Sequence, residues 1–142
     1  MLKISAQVNN SKDRHEISLK TNDNHHSITI PPKPTGYGSS ANGGELLFLA
    51  LATCYCNDIY REAARKNIVV KSVHVEVSGE FDPAPGSHAE NITYTATVEA
   101  EANEAEILDL MQHTDTVAEI QNTLRRITSV TLEAPKAISL QS

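Results

Sequence analysis

The chain has 142 residues, a length that suits one domain, with 39% hydrophobic residues and only 4% aromatic ones. Its formal net charge of −6, with 12 basic residues scattered along the chain, disfavours a nucleic-acid-binding surface. No apolar run approaches the ~18 residues needed to span a bilayer, and no basic amphipathic helix stands out.

The start, "MLKISAQVNNSK", lacks the apolar core of a signal peptide, so the expected location is the cytoplasm, where thiols stay reduced. "LKISAQV" alternates, with Leu2, Ile4, Ala6 and Val8 on one face of a strand. "NNSKD" reads as a turn and "HEISLKT" as a second strand with Ile17 and Leu19 inward. "NDNHH" reads as another turn, followed by a short strand, "SITI". From Pro31 to Gly44, "PPKPTGYGSSANGG" carries prolines, glycines and serines without periodicity, which predicts a loop.

A long helix is expected from about Gly43 to Lys66. Asn42 and Glu45 have capping-box spacing, and Asn67 suits the far end. Leu46 to Ala52 is apolar on every face and predicts a segment buried all round, whereas "NDIYREAARK" is amphipathic. "IVVKSVHVEVSGEF" and "ITYTATVEAE" alternate and should pair as an antiparallel hairpin across the turn "DPAPGSHAEN". "NEAEILDLMQH" predicts a helix capped by Asn103 with Glu106. "TVAEIQNTLRR" predicts another, with Thr116 and Glu119 as its capping box. "ITSVTLEA" reads as a closing strand. The order βββ-α-ββ-αα-β is an α+β arrangement.

The only two cysteines, Cys54 and Cys56, lie on the long helix. Residues two apart on a helix point about 200° from each other, so the pair can neither bridge nor chelate one metal there. Two cysteines in this spacing are also too few for a zinc knuckle or ribbon. A nucleophilic cysteine needs positive charge nearby. On the helix Arg61 lies seven residues beyond Cys54 and could help, whereas Asp58, four residues on, works against it. Free cysteine is also a common buried small hydrophobe, so inert packing is the competing reading. His25 and His26 sit in a turn without spaced partners, His74 lies on a water-facing strand position, and His113 could cap a helix. No serine-hydrolase elbow, phosphate-binding Walker loop, zinc-protease motif or dinucleotide fingerprint occurs. The "GYGSSANGG" loop lacks the lysine of a phosphate-binding loop.

The run "GYGSSANGGELLFLALATCYCNDIYREAARKN" resembles the central segment of the OsmC/Ohr family. There a small-residue loop leads into a Glu-Leu-Leu sequence and a long helix bearing the peroxidatic cysteine. On that resemblance Cys54 matches the reactive residue, Asp58 matches an aspartate common in one branch, and Cys56 is an extra. The resemblance implies an OsmC-like domain over residues 1–142 and an intertwined homodimer, its long helices buried between two sheets. It further implies reduction of organic hydroperoxides in the oxidative or osmotic stress response, with no bound cofactor or metal. In such a reaction the thiolate is oxidised to a sulfenic acid.

The family's second cysteine would fall within Thr116 to Ala118, where this chain has none, so an external thiol reductant is expected instead. The family's activating arginine has Arg14 or Arg61 as candidates. The glutamate ten residues before the cysteine aligns with Gly44, leaving Glu45 one residue off, about 100° round the helix. The expected site is therefore Cys54 with Arg14 or Arg61 and Glu45, lined by Tyr37 and Tyr55. The rival expectations are a non-catalytic dimer that binds a small apolar or acidic ligand, and a structural dimer with inert thiols.

Overall fold

The structure, a computed structural model, describes residues 1–126, 129–136, 138 and 140. It is of mixed α+β type, and its elements follow one another as βββ-α-ββ-αα. The chain divides into two compact units, Met1–Leu49 and Ala50–Ser142.

In the first unit, β1 (Ile4–Ser11), β2 (Arg14–Thr21) and β3 (Asn24–His26) form an antiparallel sheet in the order β1-β2-β3. Both turns place a short polar residue in the left-handed region, Asp13 at φ 59° and Asn22 at φ 51°. Asx side chains tolerate that conformation because they hydrogen-bond locally. The tight turn at Asn22 corrects one expectation: "NDNHH" holds the third strand, and "SITI" carries none. Every residue of β1 is exposed, including Ile4 and Val8 of its alternating face.

The small-residue loop is fastened to the β1–β2 turn. Asp13 N–H donates to Gly36 O at 2.6 Å, and the Asn10 side chain both donates to Gly38 O and accepts from Gly38 N–H. Gly36 has φ 92°, and a Cβ there would stand 2.6 Å from Asp13 Oδ1. Close approach and backbone conformation both demand glycine at this point.

The helix α1 (Gly43–Arg65) starts in the first unit and continues into the second. Glu45 N–H donates to Asn42 Oδ1 at 2.8 Å, and Asn42 N–H donates to Glu45 Oε1 at 2.9 Å, completing the capping box. At the other end Asn67 adopts φ 57° and Ile68 N–H reaches back to Ala63 O at 2.9 Å.

The second unit adds β4 (Val69–Phe81) and β5 (Ala89–Glu101), paired as the expected antiparallel hairpin. Then come α2 (Glu104–Val117) and α3 (Glu119–Arg125). The core of this unit is Tyr55, Ile59, Ala63 and Leu110, with Val73, Val75, Tyr94, Ala96 and Val98 of the hairpin packed against it. The hairpin's alternating residues thus face the helices, which is why its period of two is so regular.

Within one chain, burial along α1 is uneven. Leu46, Leu47 and Phe48 are only half-buried and Leu49 is 55% exposed, while the buried positions are Leu51, Tyr55, Asp58, Ile59, Glu62 and Ala63. Apolarity says what a helix can bury, but cover must come from another element. The core neighbours of Tyr55, Ile59 and Ala63 come from α2, β4 and β5.

The α2–α3 junction is corrected as well. The predicted Thr116–Glu119 capping box does not form: Thr116 is inside α2 with its hydroxyl on His113 O, and α3 is entered at Ala118 without a side-chain cap. α2 runs on to Val117, with Thr114 fully buried and its hydroxyl donating to Leu110 O. Asn103 caps α2 as expected, accepting from Glu106 N–H at 2.9 Å. In the predicted closing strand "ITSVTLEA", residues 127 and 128 lie outside the described residues, and 129–134 form no strand.

Candidate functional site around Cys54

The second unit gathers charged side chains around Cys54. Asp58 and Arg61 follow Cys54 at four and seven residues along α1, one face of the helix. The first residues of α3 meet that face. Gln121 is buried and its Nε2 donates to Leu51 O at 3.0 Å, which ties α3 to α1. Glu119 is free of capping duty and turns to the site.

The thiol of Cys54 donates toward Asp58 Oδ2 at 3.6 Å and toward Glu119 Oε2 at 3.8 Å. Each carboxylate gives its other oxygen to Arg61: Nη1 stands 3.2 Å from Asp58 Oδ1 and donates to Glu119 Oε1 at 2.9 Å. Arg61 Nε donates to Glu62 Oε2 at 2.8 Å, and His113 Nε2 on α2 lies 2.7 Å from Glu62 Oε1. A chain of contacts therefore runs from α2 to the thiol through Glu62, Arg61 and the two acids.

The electrostatics follow from this arrangement. Burial pushes the Cys54 thiol above its ordinary pKa, the Ile120 backbone N–H opposes that, and Asp58 and Glu119 push further up. Asp58 is raised to about 6, first by burial and then by the neighbouring Glu119 carboxyl. Burial also pushes Glu119 up, but its own backbone N–H, Asp58 and Arg61 hold it below the usual carboxylate range. Glu62 is held down at about 2, first by Arg61 and then by His113. Arg61 keeps its charge at any pH of interest.

Ligand atoms of Cys54, Asp58 and Glu119 lie within 4.8 Å of one another, a spacing that could hold a metal ion. Arg61 already supplies a cation to both carboxylates.

Of the residues expected at the site, the structure brings Cys54 and Arg61 into one cluster with Asp58. Arg14 lies on β2 of the first unit, where it pairs with Glu16 at 2.6 Å, and Glu45 serves the cap of α1. Tyr55 is on another face of the helix. It is buried, donates to Met111 O at 2.8 Å and meets Tyr94 edge-on, with ring centres 5.0 Å apart. It lines a hollow with Tyr94, Leu108, Met111 and Asp115 rather than the surroundings of Cys54. Tyr37 is exposed on the loop of the first unit.

Both cysteines are free, and they serve different faces. Cys56 lines a shallow hollow with Val73, His74 and Val75 of β4. Sequence reasoning missed Glu62, His113, Glu119 and Ile120. Asp58, Arg61, Glu62 and Arg65 recur at helical spacing, a signal of an ion-paired stripe, but nothing local marks that Glu62 is buried.

Residues 36–133 match the family model described as OsmC-like protein. No curated protein matches the chain. Among solved structures, an OsmC-like protein from Mycoplasma pneumoniae is 19% identical with a TM-score of 0.62, covering 88% of this chain and 87% of its own. An OsmC-like protein of unknown function from Vibrio cholerae is 13% identical with a TM-score of 0.62, covering 87% and 94%. An organic hydroperoxide resistance protein from Elizabethkingia anophelis is 17% identical with a TM-score of 0.55, covering 88% and 89%. These likenesses carry the fold, and the family match spans more than half of the sequence and includes the whole cluster around Cys54: the protein belongs to the OsmC family.

Proposed function

We propose that the protein is a one-cysteine hydroperoxide reductase of the oxidative or osmotic stress response, acting through Cys54 as a cytoplasmic homodimer of one OsmC-like domain per chain. The observation that carries this reading is the Cys54 thiol donating toward Asp58, a carboxyl raised to about 6. A carboxyl tuned near neutrality can take a proton and return it. Asp58 accepts the thiol proton, and the thiolate attacks the outer oxygen of an organic hydroperoxide. The S–O bond forms as the O–O bond breaks, and the departing alkoxide leaves as an alcohol with the proton from Asp58. Cys54 becomes a sulfenic acid.

The sequence has no cysteine after Cys56, so an external thiol completes the cycle. One thiol displaces water to form a mixed disulfide with Cys54, and a second thiol releases Cys54 with formation of the external disulfide. We assign the activating charge to Arg61 ahead of Arg14, because Arg61 touches both acids that face the thiol. Glu45 is assigned to the helix cap. Family neighbours named as hydroperoxide resistance proteins support the substrate class.

Treating the purified protein with an organic hydroperoxide should add one oxygen, or an added thiol, to Cys54 by mass spectrometry. Hydroperoxide consumption by Cys54→Ser at the wild-type rate would remove this reading. A second reading, a non-catalytic dimer that binds a small apolar or acidic ligand, draws on the burial and the two acids that raise the thiol pKa. Its signature is a thiol that resists both hydroperoxide and alkylation at neutral pH.

A further inference from the structure

We infer that Glu62 is a positioning residue: by holding Arg61 between Asp58 and Glu119, it governs the charge that faces Cys54. The inference deepens the proposed reaction and rests on it in one respect, that reaction at Cys54 needs the thiolate.

Glu62 lies eight residues beyond Cys54 on α1, with its side chain 4% exposed. A carboxylate buried to that degree persists only when its oxygens are occupied. Oε2 accepts from Arg61 Nε at 2.8 Å and stands 3.7 Å from Arg65 Nη1, and Oε1 faces His113 Nε2 at 2.7 Å. Glu62 is thus anchored to α2 as well as to its own helix.

The guanidinium is planar, so fixing Nε on Glu62 fixes the direction of the terminal nitrogens. Nη1 then meets Asp58 Oδ1 and Glu119 Oε1, whose partner oxygens face the thiol. Arg61 is 37% exposed and carries a long, rotamer-rich side chain. Released from Glu62 it has water to turn to, and both acids would then face Cys54 without their shared cation.

The two roles open to Glu62 have opposite signs. Loss of a mere nearby negative charge makes a thiol more acidic. Loss of the residue that steers Arg61 makes Cys54 less acidic. The test is the pH profile of Cys54 alkylation by iodoacetamide, read by mass spectrometry in a Cys56→Ser background. Glu62→Gln keeps the shape, but its single carbonyl oxygen can no longer accept from both partners. It should move the profile to higher pH and slow alkylation at neutral pH by roughly three- to tenfold. In an Arg61→Gln background the same substitution should produce no upward shift. His113→Asn loosens Glu62 from the α2 side and should give a smaller upward shift, which keeps the test usable if Glu62→Gln does not fold.

A downward shift or no shift in a folded Glu62→Gln protein would overturn the inference. So would an equal upward shift with and without Arg61. Alkylation reads the thiol whether or not hydroperoxide is turned over, so failure here is distinct from failure of the proposed reaction.

Discussion

Two stripes run down the second half of α1, and both are buried. One carries Tyr55, Ile59 and Ala63 into the hairpin and α2; the other carries Asp58 and Glu62 toward α3 and His113. Asp58 is 6% exposed and Glu62 3%, close to the 3% of Tyr55. The apolar stripe is held by contact area, which is non-directional and tolerates small shifts. The ionic stripe is held by paired oxygens and nitrogens, which fix direction and charge. Equal burial therefore serves two ends: the first stripe secures the helix, and the second sets the electrostatics of Cys54.

Substitutions can pull the two stripes apart. The largest loss of stability is expected for Ile59→Ala, about 2–5 kcal/mol from the cavity left in a fully buried position, measured by denaturant unfolding. If the Cys54 alkylation profile survives that change in the protein still folded, the stripes are separable. Asp58→Asn should have the opposite emphasis. Removing its charge and hydrogen bond lowers the thiol pKa, so alkylation at neutral pH should speed up a few-fold while the melting temperature moves less than for Ile59→Ala.

Acid should act on the ionic stripe. The folded pKa of Glu62 is depressed from 4.5 to about 2, so its contribution is present above pH 4.5 and is lost as pH falls toward 2. Asp58 runs the other way. Its folded pKa is raised from 3.8 to about 6, so its contribution is present below 3.8 and is lost as pH rises through 6. Melting temperatures across this range should fall on the acid side, and Glu62→Gln should flatten that fall. The smallest effect is expected far from both stripes: Asn103→Ala removes the α2 cap at a cost of about 1 kcal/mol with no change in thiol reactivity.

The parts of this fold that could be read from sequence are those set by neighbours in the chain. Asn42 with Glu45, Asn67 and Asn103 each satisfy helix ends within a few residues, and each acts where its spacing predicts. The β4–β5 hairpin was legible because its alternation spans both strands. Thr116 and Glu119 have the same capping spacing, yet α2 runs on through Thr116, whose hydroxyl donates to His113 O, and the box is lost. Cys54 could be singled out by resemblance, but Glu119 is 65 residues away and reaches it only through the packing of α3 on α1. Leu46 to Ala52 is of the same kind, since a segment's apolarity does not say which element will cover it.

The junction at Ala118 has a consequence of its own. Ala118 ends α2 and begins α3 as one extended residue, fully buried, at φ −69° and ψ 113°. The heading of α3 depends on this one pair of dihedral angles together with the Gln121 tie to Leu51 O. Glu119 and Ile120, the next two residues, touch the thiol, so a small turn at this joint moves an acid and an amide donor at Cys54 together. Any side chain larger than alanine at 118 would act on the site as a lever, retuning the thiol without altering a residue in contact with it.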